Sequence, residues 1–122
     1  MSKKMLVIED YPETAKMVES IFKMKNFEVV LAYDGRSGLQ KAAVEKPDII
    51  LLDVMLPEMS GIEVCQQLKS DPATAKIPVI IISVKTSGED IGAGKRAGAD
   101  DYIVKPFDPS KLVEAVEKFI SK

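Results

Sequence analysis

The chain has 122 residues, 46% of them hydrophobic and 30% charged, a balance that suits one folded domain and excludes a disordered or collagen-like chain. Its formal net charge of −2, with both signs spread along the sequence, argues against nucleic-acid binding by charge alone. With no histidine and a single cysteine, Cys65, it can hold no internal disulfide, no Cys/His metal set and no serine-histidine triad.

The first apolar run, Met5-Leu6-Val7-Ile8, is continuous, as expected for a strand buried on both faces. It is too short for a secretory signal or a membrane span, so the chain reads as cytoplasmic with no membrane partner. Pro12 sits where a helix can begin, and Ala15, Val18, Ile21 and Phe22 recur at helical spacing. Phe27 to Leu31 reads as a second strand. Gly35 to Glu45 follows as a helix with Leu39, Ala42 and Ala43 on one face. Ile49-Ile50-Leu51-Leu52 is the strongest buried strand and ends on Asp53. Ser60 and Glu63 form a capping-box pattern that predicts a helix start. Val79 to Ile82 is another β-branched strand. Ile91 to Ala97 predicts a weaker helix, because Gly92 and Gly94 each lower helix propensity, and Gly98 is a terminator. Tyr102-Ile103-Val104 is a fifth strand. Asp108 then caps a last helix opened by Pro109, with Leu112, Val113, Val116, Phe119 and Ile120 as its apolar face. No linker or repeat interrupts residues 1–122, which are expected to form a single domain.

Five strands alternating with five helices imply an α/β fold, a doubly wound parallel sheet closed by right-handed crossovers. Ligands of such sheets bind beyond the carboxyl ends of the strands. The side chains expected there are Glu9 and Asp10, Asp53, Ser83, and Lys105 followed by Pro106. Singly, each has an ordinary explanation: a helix start, a turn aspartate, a loop cap, a solvated lysine. Together they put three carboxylates, a hydroxyl and an ammonium on one edge. Crowded carboxylates repel, and a divalent cation relieves that repulsion. Mg²⁺ suits an all-oxygen set and keeps waters that a phosphate can replace. An aspartate so placed can attack phosphorus and form an acyl phosphate, with Lys105 and Ser83 countering the charge.

The ordered set resembles the receiver domain of two-component response regulators over essentially the whole chain. It comprises Glu9-Asp10, Asp53 within Leu51-Leu52-Asp53-Val54-Met55-Leu56-Pro57, Gly61, Ser83, Ala97-Gly98-Ala99-Asp100-Asp101-Tyr102, and Lys105-Pro106-Phe107. That resemblance implies a flavodoxin-like (βα)5 fold of strand order 2-1-3-4-5. It also implies that Asp53 is the phosphoacceptor in a phosphorelay. Asp10 would then bind Mg²⁺ directly and Glu9 through water, with Asp53 and the backbone carbonyl of Met55 as further ligands. Lys105 and Ser83 would hold the phosphoryl oxygens, Tyr102 would change rotamer behind Ser83, and the bond before Pro106 would be cis. A histidine kinase or histidine phosphotransfer protein would be the donor, and a downstream protein effector the recipient of the signal.

Two positions depart from the usual pattern. Val84 stands where a smaller residue is typical, which implies narrower access to Asp53, and the fourth helix is rich in glycine. Gly92-Ala93-Gly94 is not at a first strand-to-helix turn, and Gly94-Lys95 lacks the rest of a phosphate loop. Glu9-Asp10-Tyr11-Pro12 is acidic where a flavin phosphate would need a cradle. Two alternatives remain: an aspartyl-phosphate phosphohydrolase, which would need an acid where Met55 stands, and an unphosphorylated interaction module.

Overall fold

Residues 2–120 are described by the computed structural model. The elements in chain order are β1 (Lys3–Ile8), α1 (Pro12–Lys23), β2 (Phe27–Ala32), α2 (Gly35–Glu45), β3 (Ile49–Asp53), α3 (Gly61–Ser70), β4 (Val79–Ser83), α4 (Gly88–Arg96), β5 (Asp101–Val104) and α5 (Pro109–Ile120). The strands form one parallel sheet ordered β2-β1-β3-β4-β5. All five residues of β3 and of β4 are buried, which explains why those strands carry no polar alternation.

Strand side chains alternate between two layers. Met5, Val7, Ile49, Leu51, Ile80 and Ile82 pack with Val18 and Phe22 of α1 and with Leu112 and Val116 of α5. Leu6, Ile8, Ile50 and Leu52 face the other way, onto Ala42 of α2 and Val64, Cys65 and Leu68 of α3. Each fully buried aliphatic side chain contributes roughly 1.5–3 kcal/mol relative to exposure, so the sheet is a firm platform for whatever stands at its rim.

Several local expectations are corrected. α4 begins at Gly88, three residues before Ile91, and ends at Arg96. The Ser87 hydroxyl accepts from the Asp90 amide and donates to the Asp90 carboxylate, a cap strong enough to start a helix before its first apolar residue. Ala43 is exposed, because Gly35, Gly38 and Ala42 supply the buried face of α2 and let it approach the sheet closely. On α5 Phe119 is exposed, and Ala115 takes the buried place between Leu112 and Val116. Ser60 caps α3 by accepting from the Ile62 amide.

Candidate functional site

The order β2-β1-β3 means that the chain leaves β1 toward one edge and returns at β3 to run toward the other, which opens a crevice between β1 and β3. In register, Ile8 lies beside Leu52, so the next residues, Glu9 and Asp53, come side by side at the rim. A third strand end contributes Lys105, whose amide donates to the Ser83 carbonyl at 2.8 Å.

Carboxylate oxygens of Glu9, Asp10 and Asp53 lie within 4.8 Å of one another. Glu9 and Asp53 are buried while Asp10 is exposed at the mouth. The Lys105 ammonium donates to Glu9 Oε1 at 2.7 Å and to Asp53 Oδ2 at 2.9 Å. The remaining oxygens of the buried pair are held by backbone: Glu9 Oε2 accepts from the Tyr11 amide, and Asp53 Oδ1 from the Met55 amide. Burial pushes the Glu9 carboxyl up to about 7, with the charge of Asp53 adding to it and the Lys105 hydrogen bond opposing it. Burial works to lower the Lys105 ammonium, but its bonds to Glu9 and Asp53 outweigh that and raise it.

Gly61 lets α3 start against this rim. Its amide donates to the Val54 carbonyl at 2.8 Å. A Cβ there would overlap the Asp53 carbonyl oxygen and sit 2.6 Å from Val54 Cα, so only glycine allows the approach. Beside Asp10 a cleft of about 620 Å³ is lined by Met55, Pro57, Glu58, Ser60 and Lys85 among others. Val84 stands outside this cleft. It is 56% exposed and lines a neighbouring groove with Met17, Lys105 and Phe107.

Ser83 is fully buried at the end of β4, and its hydroxyl accepts from the Lys85 amide at 3.1 Å. Tyr102 is half-buried on β5, and its hydroxyl donates to the Lys85 carbonyl at 2.8 Å. The Lys105–Pro106 peptide is cis. Thus Glu9, Asp10, Asp53 and Lys105 gather in one cluster, whereas Ser83 and Tyr102 are joined to the loop after β4. The backbone groups of Tyr11, Met55 and Lys85 that orient these side chains carry no mark in the sequence, since every residue has an amide. Among the described residues, no helix is long and apolar enough to cross a membrane.

Residues 5–117 match the family described as the response regulator receiver domain. The response regulator ArlR of Staphylococcus saprophyticus is 40% identical over 119 residues, which are 98% of this chain and 53% of that protein. The DNA-binding response regulator MtrA of Mycolicibacterium smegmatis is 37% identical over 116 residues, 95% of this chain and 50% of that protein. The chain thus spans about half the length of these curated relatives. The chemotaxis protein CheY4 of Vibrio cholerae superposes with a TM-score of 0.93 at 30% identity, covering 98% of this chain and 100% of that one. A fold shared with that chain and a family match over nearly all of the sequence agree, and the chain belongs to the response regulator receiver domain family.

Proposed function

We propose that Asp53 accepts a phosphoryl group, donated by a phosphohistidine of a histidine kinase or a histidine phosphotransfer protein. The observation that carries this reading is the buried Asp53 carboxylate bonded to the Lys105 ammonium, with Glu9 and Asp10 within 4.8 Å. One Asp53 oxygen forms a bond to phosphorus as the donor's P–N bond breaks and its electron pair leaves on the imidazole nitrogen. The Met55 amide holds the carboxylate in one orientation, and Lys105 offsets the charge that gathers on the transferred oxygens. Ser83 would turn its hydroxyl to those oxygens, and Tyr102 would follow it.

Three clustered carboxylates, two of them buried, fit a hard divalent cation. Glu9, Asp10, Asp53 and the Met55 carbonyl would hold Mg²⁺, which when bound neutralises phosphate oxygens. The chain is a phosphoacceptor that at most catalyses its own phosphorylation and dephosphorylation. Its output is a shift between two states of the face made by α4, β5 and α5, read by a downstream protein effector. It acts in the cytoplasm as a single receiver domain over residues 1–122. With a net charge of −2 it does not contact nucleic acid itself. A phosphohydrolase would need an acid at position 55, where Met55 stands.

Incubation with acetyl phosphate and Mg²⁺, followed by intact mass, tests the proposal. One phosphoryl gain is expected in the wild type and none in Asp53→Asn or without Mg²⁺. A wild type that gains no mass while an established receiver does would overturn it, as would steady turnover of small phosphate esters.

A further inference from the structure

Gly94 is the buried residue of α4. A Cβ at this position would lie 3.0 Å and 3.2 Å from Cδ2 and Cε2 of the Tyr102 ring and 3.1 Å from Ile81 Cδ1, all closer than ordinary contact. Ile81 is fully buried in β4, and a close-packed interior leaves it little room to retreat. The half-buried Tyr102 ring is the neighbour that can move. Gly92, the other interior glycine of α4, is different. A Cβ there would meet only Nη1 of Arg96, at 3.2 Å, the far end of a flexible side chain.

Moving the ring has a consequence at β4. The Tyr102 hydroxyl donates to the Lys85 carbonyl, and the Lys85 amide donates to the Ser83 hydroxyl, so a single loop residue joins the two side chains. We propose that Gly94 is a positioning residue for Tyr102. Bare backbone at this point lets the ring lie against α4 with its hydroxyl on Lys85, and even a methyl group there shifts the ring and loosens its bond to the loop that follows Ser83. The link to signalling rests on the reading of Asp53 as acceptor, since that reading gives Ser83 its target.

The three tyrosines make the contact measurable by ¹⁹F NMR of 3-fluorotyrosine protein, with Tyr102 assigned through Tyr102→Phe. Tyr11 and Tyr33, both exposed, serve as internal references. In Gly94→Ala the Tyr102 resonance is expected to move toward those of Tyr11 and Tyr33. In Gly92→Ala it is expected to stay in place. Thermal midpoints give a second reading: Gly94→Ala should melt below Gly92→Ala, and that penalty should vanish in a Tyr102→Ala background. An unmoved Tyr102 resonance in Gly94→Ala would overturn the proposal. So would an equal penalty with and without the ring, which would make Ile81 the obstruction. Both measurements use the resting protein, so they stand apart from the phosphoryl mass gain. With acetyl phosphate and Mg²⁺, Gly94→Ala should gain mass as the wild type does but lose most of the accompanying Tyr102 shift. An undiminished shift would overturn the proposal, and absence of mass gain in the wild type would overturn the acceptor reading alone.

Discussion

Replacing Gly61 by alanine puts one methyl group where α3 meets the end of β3. Its Cβ would overlap the Asp53 carbonyl oxygen, and would lie 2.6 Å from Val54 Cα and 2.8 Å from the Asp53 carbonyl carbon. All three neighbours are backbone at the end of β3 and in the residue after it, and β3 is buried between two helical layers. Ordinary contact begins near 3.4 Å, so α3 must withdraw by close to an ångström. That stretches the 2.8 Å bond from the Gly61 amide to the Val54 carbonyl beyond hydrogen-bonding range. Losing the bond costs about 1 kcal/mol, and overpacking adds about 1–3 kcal/mol. The lower chain entropy of unfolded alanine returns about 0.4–1 kcal/mol. The expected net loss is about 1–3.5 kcal/mol, equivalent to a fall in melting midpoint of roughly 5–15 °C for a domain of this size. Urea unfolding at pH 8 measures it, with an unchanged slope as the sign that the loss lies in the folded state. Gly88→Ala is the control, because a Cβ there meets nothing within 4 Å and should cost nothing. If Gly61→Ala loses less than about 0.5 kcal/mol, or no more than Gly88→Ala, the close approach does not constrain the fold and the reasoning fails.

Glu9 titrates near 7 when folded against an ordinary 4.5, so its contribution to stability is complete below 4.5 and is lost as pH rises through 7. In EDTA, Glu9→Gln should therefore gain on the order of 2–3 kcal/mol over wild type at pH 8 and little at pH 5; equal effects at both pH values would contradict the burial argument. Cys65 is fully buried, its thiol pushed by that burial up to about 11 and donating to the Ala97 carbonyl. A disulfide-exchange reagent at pH 8 should label it only at the rate of unfolding, and fast labelling of folded protein would refute this. Asp100 Oδ2 accepts from the Val79 amide at 2.8 Å and from Lys69 at 3.0 Å, so Asp100→Ala should lose about 1–3 kcal/mol by chemical denaturation, whereas an exposed ion pair alone would lose under about 1.

The strands were legible where burial is two-sided. Ile49-Ile50-Leu51-Leu52 and Val79-Ile80-Ile81-Ile82 have no polar position, because both faces of the sheet are covered, and such runs announce themselves in sequence. Strand ends were less plain. β1 begins at Lys3, before its apolar run, because pairing with β2 continues through Lys3 and Lys4 where burial does not. Helix faces are hidden from the sequence where small residues do the packing. Ala43 and Phe119 looked like core by residue type, while Gly35, Gly38 and Ala115 took the buried places. Phase along a helix comes from what it packs against, and this is not a property of the segment alone.

The sequence by itself determined the identity of the chemistry-bearing residues: acids after the first and third apolar runs, a lysine after the fifth, and glycine rather than alanine at position 61. Strand-end placement follows from the run of apolar residues, which is local information. Only the tertiary structure decided their partnership. Parallel register sets Glu9 beside Asp53, a fifth strand two places away supplies the ammonium that bonds both, and burial then moves Glu9 up to about 7. The link from Tyr102 through Lys85 to Ser83 is also tertiary, because it runs through backbone groups that every residue carries. Distance, register and exclusion of water are relations between segments, so no segment's own residues record them.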